Sequence, residues 1–227
     1  MNEDDDPDSL IRRVDPDRWL SSRFVADPAA RADLITLYAY DHELARAPRV
    51  ASEPLLGEIR LTWWREVLDE IFEDRPVRRQ PIALALADVV RRRQLLREPL
   101  EAMIDGRYRE LERAPMSRDE AIDWADATAG QAAAAAARLL DPAQDTAAVR
   151  AAGQAWALGL LEREGGGPHL TEAVVLALRD ARAAPVSPAA FPAVAHAAFA
   201  RAYAKRRDLS ELGKRLRLIL AVARGAL

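Results

Sequence analysis

The feature that most constrains the fold of this chain is a helical repeat of apolar residues, interrupted at short intervals by proline. Alanine, the strongest helix former, makes up about a fifth of the chain. The two-residue alternation of β-branched residues that is typical of strands does not occur. Helix starts are indicated by Asp15–Pro16, by Asp27–Pro28 and by Ser117 with Glu120 in a capping-box spacing. The sequence therefore predicts an all-α protein.

About ten helices are predicted between the prolines. They span residues 16–25, 28–46, 53–73, 81–95, 98–112, 118–139, 145–163, 171–182, 188–206 and 208–224. Because the connections are short, we expect one helical bundle over residues 9–227 rather than separate modules. The acidic residues 1–8 before this bundle are expected to be disordered, and Gly165–Pro168 predicts a flexible break within it.

The composition argues against several classes of function. Without cysteine the chain has no disulfide, thiolate zinc site or cysteine nucleophile. The 33 basic and 36 acidic residues argue against a nucleic-acid-binding protein, which needs a basic excess. His42, His169 and His196 lie on different segments with no histidine three or four residues away, so no zinc site is predicted.

The chain ends give expectations about location. The N-terminus is acidic where a signal or transit peptide is basic, and the longest uncharged window, residues 183–200, contains three prolines. We therefore interpret the chain as a cytoplasmic protein. Residues 208–224 form a basic amphipathic stretch, which either closes the bundle or makes peripheral contact with a partner or with the inner membrane.

Three charged residues fall where the core should be. Asp41 lies within the apolar stripe of 28–46, Arg60 within the apolar arc of 53–73, and Arg107 within the stripe of 98–112. An unpaired buried charge costs several kcal/mol, so either Asp41 pairs with Arg60 or Arg107, or these residues line a polar cavity. The candidate residues for a cavity or ligand site are Tyr38, Asp41, Arg60, Trp64 and Arg107.

Residues 33–72 carry the most recognisable motifs. These are Leu37-Tyr38-Ala39-Tyr40, Glu43-Leu44-Ala45, Ser52-Glu53-Pro54, Gly57-Glu58-Ile59-Arg60-Leu61 and Trp63-Trp64-Arg65. The stretch resembles the squalene/phytoene synthase family, and within it the branch that includes the complex I assembly factors. The resemblance extends over about residues 15–165 and implies an isoprenoid-synthase fold. Active members of that family condense two isoprenyl diphosphates head to head, with Mg²⁺ held between two aspartate-rich helix faces.

Both aspartate-rich motifs are degenerate in this chain. The resemblance places the first aspartates at Ala45, Arg46 and Arg49. In the second motif it matches an arginine–aspartate pair with Arg163–Glu164, and it places the next acid at Pro168. A glycine run that ends in proline cannot continue a metal-binding helix. We therefore expect no catalytic residue, no metal and no cofactor at these positions.

Two interpretations of function are open. The first is a catalytically inactive family member that acts as a binding or assembly factor, with a respiratory-chain protein such as a complex I subunit as its client, or that binds an isoprenoid lipid. The alternative is a Mg²⁺-dependent head-to-head prenyltransferase of isoprenoid biosynthesis. Such an enzyme would have to use unusual acids, namely Asp41, Glu43, Glu110 and Glu164.

Overall fold

The computed structural model describes residues 6–50, 53–112, 114–165 and 169–227, and within these ranges the regular structure is helical without strands. The α-helices are α1 (Pro7–Val14), α2 (Pro16–Ser22), α3 (Pro28–Val50), α4 (Pro54–Phe72), α5 (Pro81–Arg93), α6 (Arg97–Tyr108), α7 (Arg118–Ala125), α8 (Gln131–Leu140), α9 (Thr146–Glu164), α10 (Thr171–Asp180), α11 (Ala200–Tyr203) and α12 (Glu211–Arg224). A π-turn over Asp126–Gly130 joins α7 to α8. The prediction of an all-α fold is confirmed.

Local capping explains where several helices begin. The carboxylate of Asp15 accepts a hydrogen bond from the backbone N–H of Arg18 at 3.1 Å, so α2 starts at Pro16 as predicted. At the start of α7, Ser117 Oγ accepts from the N–H of Glu120, and the Glu120 carboxylate accepts from the N–H of Ser117. This reciprocal pair is the predicted capping box.

The first helix is an element that the sequence reading missed. Helix α1 begins at Pro7, two residues before the predicted domain boundary and inside the segment expected to be disordered. Asp8 accepts a hydrogen bond from the indole N–H of Trp19 at 3.0 Å and pairs with Arg31, which joins α1 to α2 and α3. Residues 1–5 of that segment, and Gly166–Pro168 of the predicted break, lie outside the described residues.

The single helix predicted over 188–206 is wrong. Short 3₁₀ turns cover Phe191–Ala193 and Ala195–Phe199, and only Ala200–Tyr203 is α-helical. Pro192 has no N–H to donate within an α-helix, and its carbonyl accepts a hydrogen bond from the Ser21 hydroxyl at 2.6 Å. The backbone here binds α2 instead of continuing a helix.

Alanine and glycine fill the middle of the bundle. Helix α3 lies centrally, in contact with α1, α4, α5, α6 and α8, while α9 packs on α8, α10 and α11. All of Ala132–Ala137 on α8 is buried. A Cβ added to Gly153 on α9 would lie 2.2 Å from the carbonyl oxygen of Ala129, so these backbones pack directly against each other. Among the described helices, none has both the length and the apolar character needed to cross a bilayer.

Candidate functional site

The centre of the candidate site is the buried carboxylate of Asp41 on α3. Its Oδ2 accepts a hydrogen bond from Arg18 of α2 at 2.6 Å, and its Oδ1 accepts one from Arg107 of α6 at 2.9 Å. All three side chains are buried. Arg107 also donates to the carboxylate of Glu110 at 2.6 Å. The cluster therefore joins α2, α3 and α6 through alternating positive and negative charges.

Burial and neighbouring charges act in opposite directions on the carboxylates of this cluster. Burial by itself raises the pKa of Asp41, but the charges and hydrogen bonds of Arg18 and Arg107 outweigh it and hold that pKa well below its usual range. Asp15 has Arg18 as its counter-charge, and burial raises its pKa to about 6 against the pull of that guanidinium. Asp41 is therefore ionised at neutral pH, whereas Asp15 titrates in mildly acidic solution.

A second buried carboxylate, that of Asp17, connects α2 to the C-terminal part of the chain. Its Oδ2 accepts hydrogen bonds from the Tyr203 hydroxyl at 2.7 Å and from the Trp156 indole N–H at 3.2 Å. Its Oδ1 lies 2.7 Å from Nζ of Lys214 on α12. Asp17 thus ties α2 to α9, α11 and α12.

Aromatic rings flank the Arg18 guanidinium. Its Cζ lies 4.5 Å from the ring centroid of Trp156 and 5.2 Å from that of Tyr38, distances at which a cation is attracted to a ring face. Burial raises the pKa of the Tyr38 phenol well above its usual value, and its hydroxyl has no hydrogen-bond partner among the described residues. Trp156 also meets the buried His196 edge to face, with ring centroids 4.9 Å apart.

A cavity of about 250 Å³ lies beside these clusters. Helix α3 contributes His42, Ala45 and Arg49 to its lining, and α9 contributes Trp156, Leu160, Leu161, Arg163 and Glu164. The other charged residues of its lining are Asp15, Asp17, Arg18, Asp41, Arg107 and Lys214. Asp15, Asp17 and Asp41 are each paired with a neighbouring cation. Of the cavity's cations, Arg49 is exposed, and the Cζ of Arg163 lies 4.4 Å from the ring centroid of Tyr203.

The structure does not bring all of the predicted site residues together. Tyr38, Asp41 and Arg107 are buried around Arg18, as described above. Arg60 is exposed and lines a different groove, of about 350 Å³, with Trp63 and Trp64. Of the two partners that the sequence allowed for Asp41, the structure shows Arg107, and the expected burial of Arg60 is wrong.

The error at Arg60 comes from the first turns of α4. The apolar side chains near it, Leu55, Leu56 and Ile59, are also exposed. The apolar arc used to orient this helix is therefore packed only from Trp64 onward and is uncovered in the first turns. Trp64, one turn further on, is buried edge to face against Tyr40, with ring centroids 5.3 Å apart. Apolar periodicity alone cannot distinguish a packed face from an exposed apolar face.

Most of the chain, residues 11–202, matches a family model described as Squalene/phytoene synthase. The chain belongs to the squalene/phytoene synthase family. Over 104 residues it is 34% identical to "NADH dehydrogenase (ubiquinone) complex I, assembly factor 6" of Bos taurus. It is 31% identical, also over 104 residues, to the Homo sapiens protein of the same name. Each match covers 45% of this chain and 30% of the relative, so the chain spans less than a third of the length of these relatives.

Two solved structures share the fold. A dehydrosqualene synthase in complex with ligand superposes with a TM-score of 0.78 at 14% identity, covering 96% of this chain and 94% of the other. Squalene synthase HpnC from Alicyclobacillus acidocaldarius gives a TM-score of 0.59 at 15% identity, covering 96% and 92%. At such low identity the likeness establishes the isoprenoid-synthase-like bundle.

For this squalene/phytoene synthase family member, the cavity contains the positions where the resemblance places the aspartate-rich motifs. Ala45 and Arg49 line it from α3, and Arg163–Glu164 line it from α9. Arg46 instead lies on another side of α3, where it pairs with Glu43 at 3.2 Å. Pro168 lies outside the described residues. The two degenerate motifs therefore face one cavity.

The donors around this cavity do not fit a magnesium site. Mg²⁺ takes oxygen ligands from carboxylates, waters and substrate phosphates. Both oxygens of Asp41 are bound by guanidiniums, and Glu110 accepts from Arg107 and from the Trp124 indole N–H at 2.9 Å. In the ranges that the structure describes, no group of three or more acidic or histidine side chains could hold a metal ion.

Sequence reasoning missed the two residues that organise the site, Arg18 and Asp17. Both lie on α2, a helix of seven residues whose own periodicity is too short to indicate a buried face. Of these two residues, Arg18 alone has a neighbour in the sequence that could have indicated its role. Asp15, three residues earlier, binds both its backbone N–H and its guanidinium. Their long-range partners, Asp41 and Tyr203, are not indicated by anything in the sequence.

Proposed function

We propose that this chain is a family member without prenyltransferase activity that acts as an assembly factor, with a respiratory complex I subunit as its client. The observation that carries the proposal is the state of Asp41. This carboxylate faces the cavity from the first motif helix, and both of its oxygens are bound by buried arginines. The names of the curated relatives, which are complex I assembly factors, support the same conclusion.

The ion pairs of Asp41 oppose its use as a metal ligand. Coordination of a metal would require the carboxylate to leave Arg18 or Arg107, both of which are buried. Removing one partner from a buried ion pair typically costs about 3–5 kcal/mol, because the remaining charge is left uncompensated. The cluster therefore holds α2, α3 and α6 together. The same ion pairs leave neither oxygen of Asp41 available as a ligand for the metal ions of a synthase.

The size and lining of the cavity favour a protein client over a bound isoprenoid. Ligand pockets usually enclose about 300–1,000 Å³ and are mostly apolar. This cavity is smaller, at about 250 Å³, and is lined by many charged residues. The buried alanines of α8 and the close contact at Gly153 fill the middle of the bundle, where a long hydrocarbon tail would need space.

A second candidate is the binding of an isoprenyl diphosphate without turnover. It is favoured by one observation: Arg49, Arg163 and Lys214 line the cavity, and arginine and lysine both bind phosphate oxygens. In this alternative the cations of the protein would take the place of Mg²⁺ beside the diphosphate. The expected location in either case is cytoplasmic, peripheral to the inner membrane.

The enzymatic alternative can be tested directly. Incubation of the purified chain with farnesyl or geranylgeranyl diphosphate and Mg²⁺ should release no pyrophosphate above the rate without protein. Sustained release that is lost in Asp41→Asn but kept in Glu43→Gln would contradict the proposal, because Glu43 lies in the other groove. Binding of the diphosphate without release, measured by calorimetry and weakened in Arg49→Gln, would support the second candidate.

The assembly function needs a cellular readout. In cells that lack the chain, the amount of assembled complex I on native gels should fall, and expression of the wild-type chain should restore it. The tagged chain at native level should recover a complex I subunit or an assembly intermediate. Normal complex I in the deleted cells, together with no recovered subunit, would refute the proposal.

A further inference from the structure

The C-terminal helix α12 carries an apolar stripe that nothing in the described structure covers. The stripe consists of Leu212, Leu216, Ile219 and Leu220, each with more than half of its surface exposed. At 100° per residue these side chains fall within an arc of about 100°. Lys214, Leu218 and Ala221, which are buried against the bundle, lie on the opposite side of the helix. The stripe is therefore a second apolar face, directed away from the core.

Arginines border the stripe on both sides. Arg215 follows one edge, and Arg217 and Arg224 follow the other, all three of them exposed. The connection before α12 adds Lys205 and Arg207, which are exposed as well. The only acidic residues close to this surface in sequence are Asp208 and Glu211, at the start of the helix. The face therefore combines an apolar strip with a positive border.

We propose that α12 docks on an anionic lipid surface, with the apolar stripe inserted at the level of the headgroups and the arginines beside lipid phosphates. An apolar face bordered by cations is the pattern of helices that lie in the plane of a membrane interface. The described helices do not span a bilayer, so the contact would be peripheral.

Charge argues against a second copy of this chain as the occupant. A symmetric pair of stripes would bring the arginine borders of two copies together, and like charges at close range oppose association. An anionic surface offers the complementary charge, and each cation near such a surface contributes about 1 kcal/mol, or roughly a fivefold gain in binding. This inference is independent of the proposed function, because a chain with no complex I client could still bind lipid.

The test measures binding of the full chain to vesicles by flotation. Wild-type protein should bind vesicles of phosphatidylcholine mixed with phosphatidylglycerol at least tenfold more strongly than vesicles of phosphatidylcholine alone. The double variant Leu216→Gln/Leu220→Gln should bind the mixed vesicles at least about tenfold more weakly than wild type. The variant Arg215→Gln/Arg217→Gln should lose most of the preference for the mixed vesicles.

A matched control separates the stripe from general surface hydrophobicity. Leu55 on α4 and Leu84 on α5 are also exposed leucines, but their helices pack against α3, whereas α12 packs against α2. Leu55→Gln/Leu84→Gln should bind vesicles like wild type. All variants should keep the wild-type circular dichroism spectrum, because each changed side chain is exposed.

Several outcomes would overturn the inference. It fails if wild-type protein does not float with the mixed vesicles, or if the control variant loses as much binding as the stripe variant. A dimer in light scattering that becomes a monomer in Leu216→Gln/Leu220→Gln would assign the stripe to a second copy instead. If the purified chain binds the mixed vesicles but its deletion leaves complex I assembly normal, the inference about α12 stands and only the proposed function is contradicted.

Discussion

Replacement of Asp41 by asparagine is the sharpest test of the buried charge cluster. The substitution keeps the size of the side chain and removes its charge. Arg18 and Arg107 then remain buried, and their remaining carboxylate partners are Asp15 at 3.3 Å and Glu110 at 2.6 Å. The NH₂ group of the asparagine side chain would also face a guanidinium, and because both groups are hydrogen-bond donors they cannot bind each other.

The expected loss is about 3 kcal/mol of unfolding free energy. Breaking a buried ion pair typically costs about 3–5 kcal/mol, and the lower end applies because each arginine keeps one carboxylate. In a chain of this length, each kcal/mol lowers the melting temperature by roughly 2–4 °C, so we expect a fall of about 6–12 °C. The pKa of Asp41 is lower in the folded chain than in the unfolded chain. Its contribution to the unfolding free energy is therefore complete above the unfolded pKa and is lost as pH falls through the folded pKa. The loss should therefore be constant across neutral pH.

Urea unfolding followed by helical circular dichroism measures this loss. The control is Glu43→Gln, which removes a partly exposed ion pair with Arg46 on the same helix and should cost less than about 1 kcal/mol. The double variant Asp41→Asn/Arg107→Met should lose less than the sum of its single variants, because the two residues share an interaction. If Asp41→Asn is no less stable than Glu43→Gln, the cluster does not brace the bundle and the argument from it fails.

Three further predictions concern other positions in or beside the core. Burial raises the pKa of Asp15 to about 6, so in mildly acidic solution the native state binds more protons than the unfolded state, and stability falls as pH rises through that range. The variant Asp15→Asn keeps the helix cap and should remove about 2–3 kcal/mol of this fall, measured by urea unfolding at a series of pH values. An unchanged pH profile would contradict the prediction. Burial, with Arg18 nearby, holds the pKa of His196 well below its usual value. As pH falls below that usual value, the unfolded chain takes up a proton that the buried imidazole does not, so the native state loses stability. The variant His196→Phe should therefore keep more of its neutral-pH stability in mild acid than wild type does, and an equal loss would refute the buried neutral imidazole. Gly153→Ala should lower the unfolding free energy by about 1–3 kcal/mol, because the added Cβ would meet the backbone of Ala129. This loss should exceed the gain from the better helix propensity of alanine. A higher melting temperature would contradict the prediction and show that the contact can relax.

The sequence predicts most of the helices well, because their starts depend on neighbouring residues. The caps at Asp15 and at Ser117 with Glu120 occur where local spacing places them. The missing helix over 188–206 is different: the interruption involves a hydrogen bond from Ser21, 171 residues away in sequence, to the carbonyl of Pro192. Local patterns hold no information about such a partner.

The candidate site was predictable only in part, for a related reason. A charge within an apolar face indicates that Asp41 and Arg107 must find partners, and they bind each other. The same reasoning applied to Arg60 is wrong, because the first turns of α4 expose apolar residues beside it. Whether an apolar face is covered depends on the neighbouring helices, which the periodicity of one helix does not describe.

Composition and capping are local properties, and from them the sequence by itself determined an all-α bundle. The resemblance to the squalene/phytoene synthase family, carried by local motifs, then located the loss of acids at Ala45 and Arg49. Only the tertiary structure decided that Arg18 shares Asp41 with Arg107 and that α12 leaves an apolar stripe uncovered. Arg18 and Arg107 are 23 and 66 residues from Asp41 along the chain, and their guanidiniums meet its carboxylate only because α2, α3 and α6 pack together. Burial and charge pairing arise from that packing, and the order of residues along one helix does not contain it.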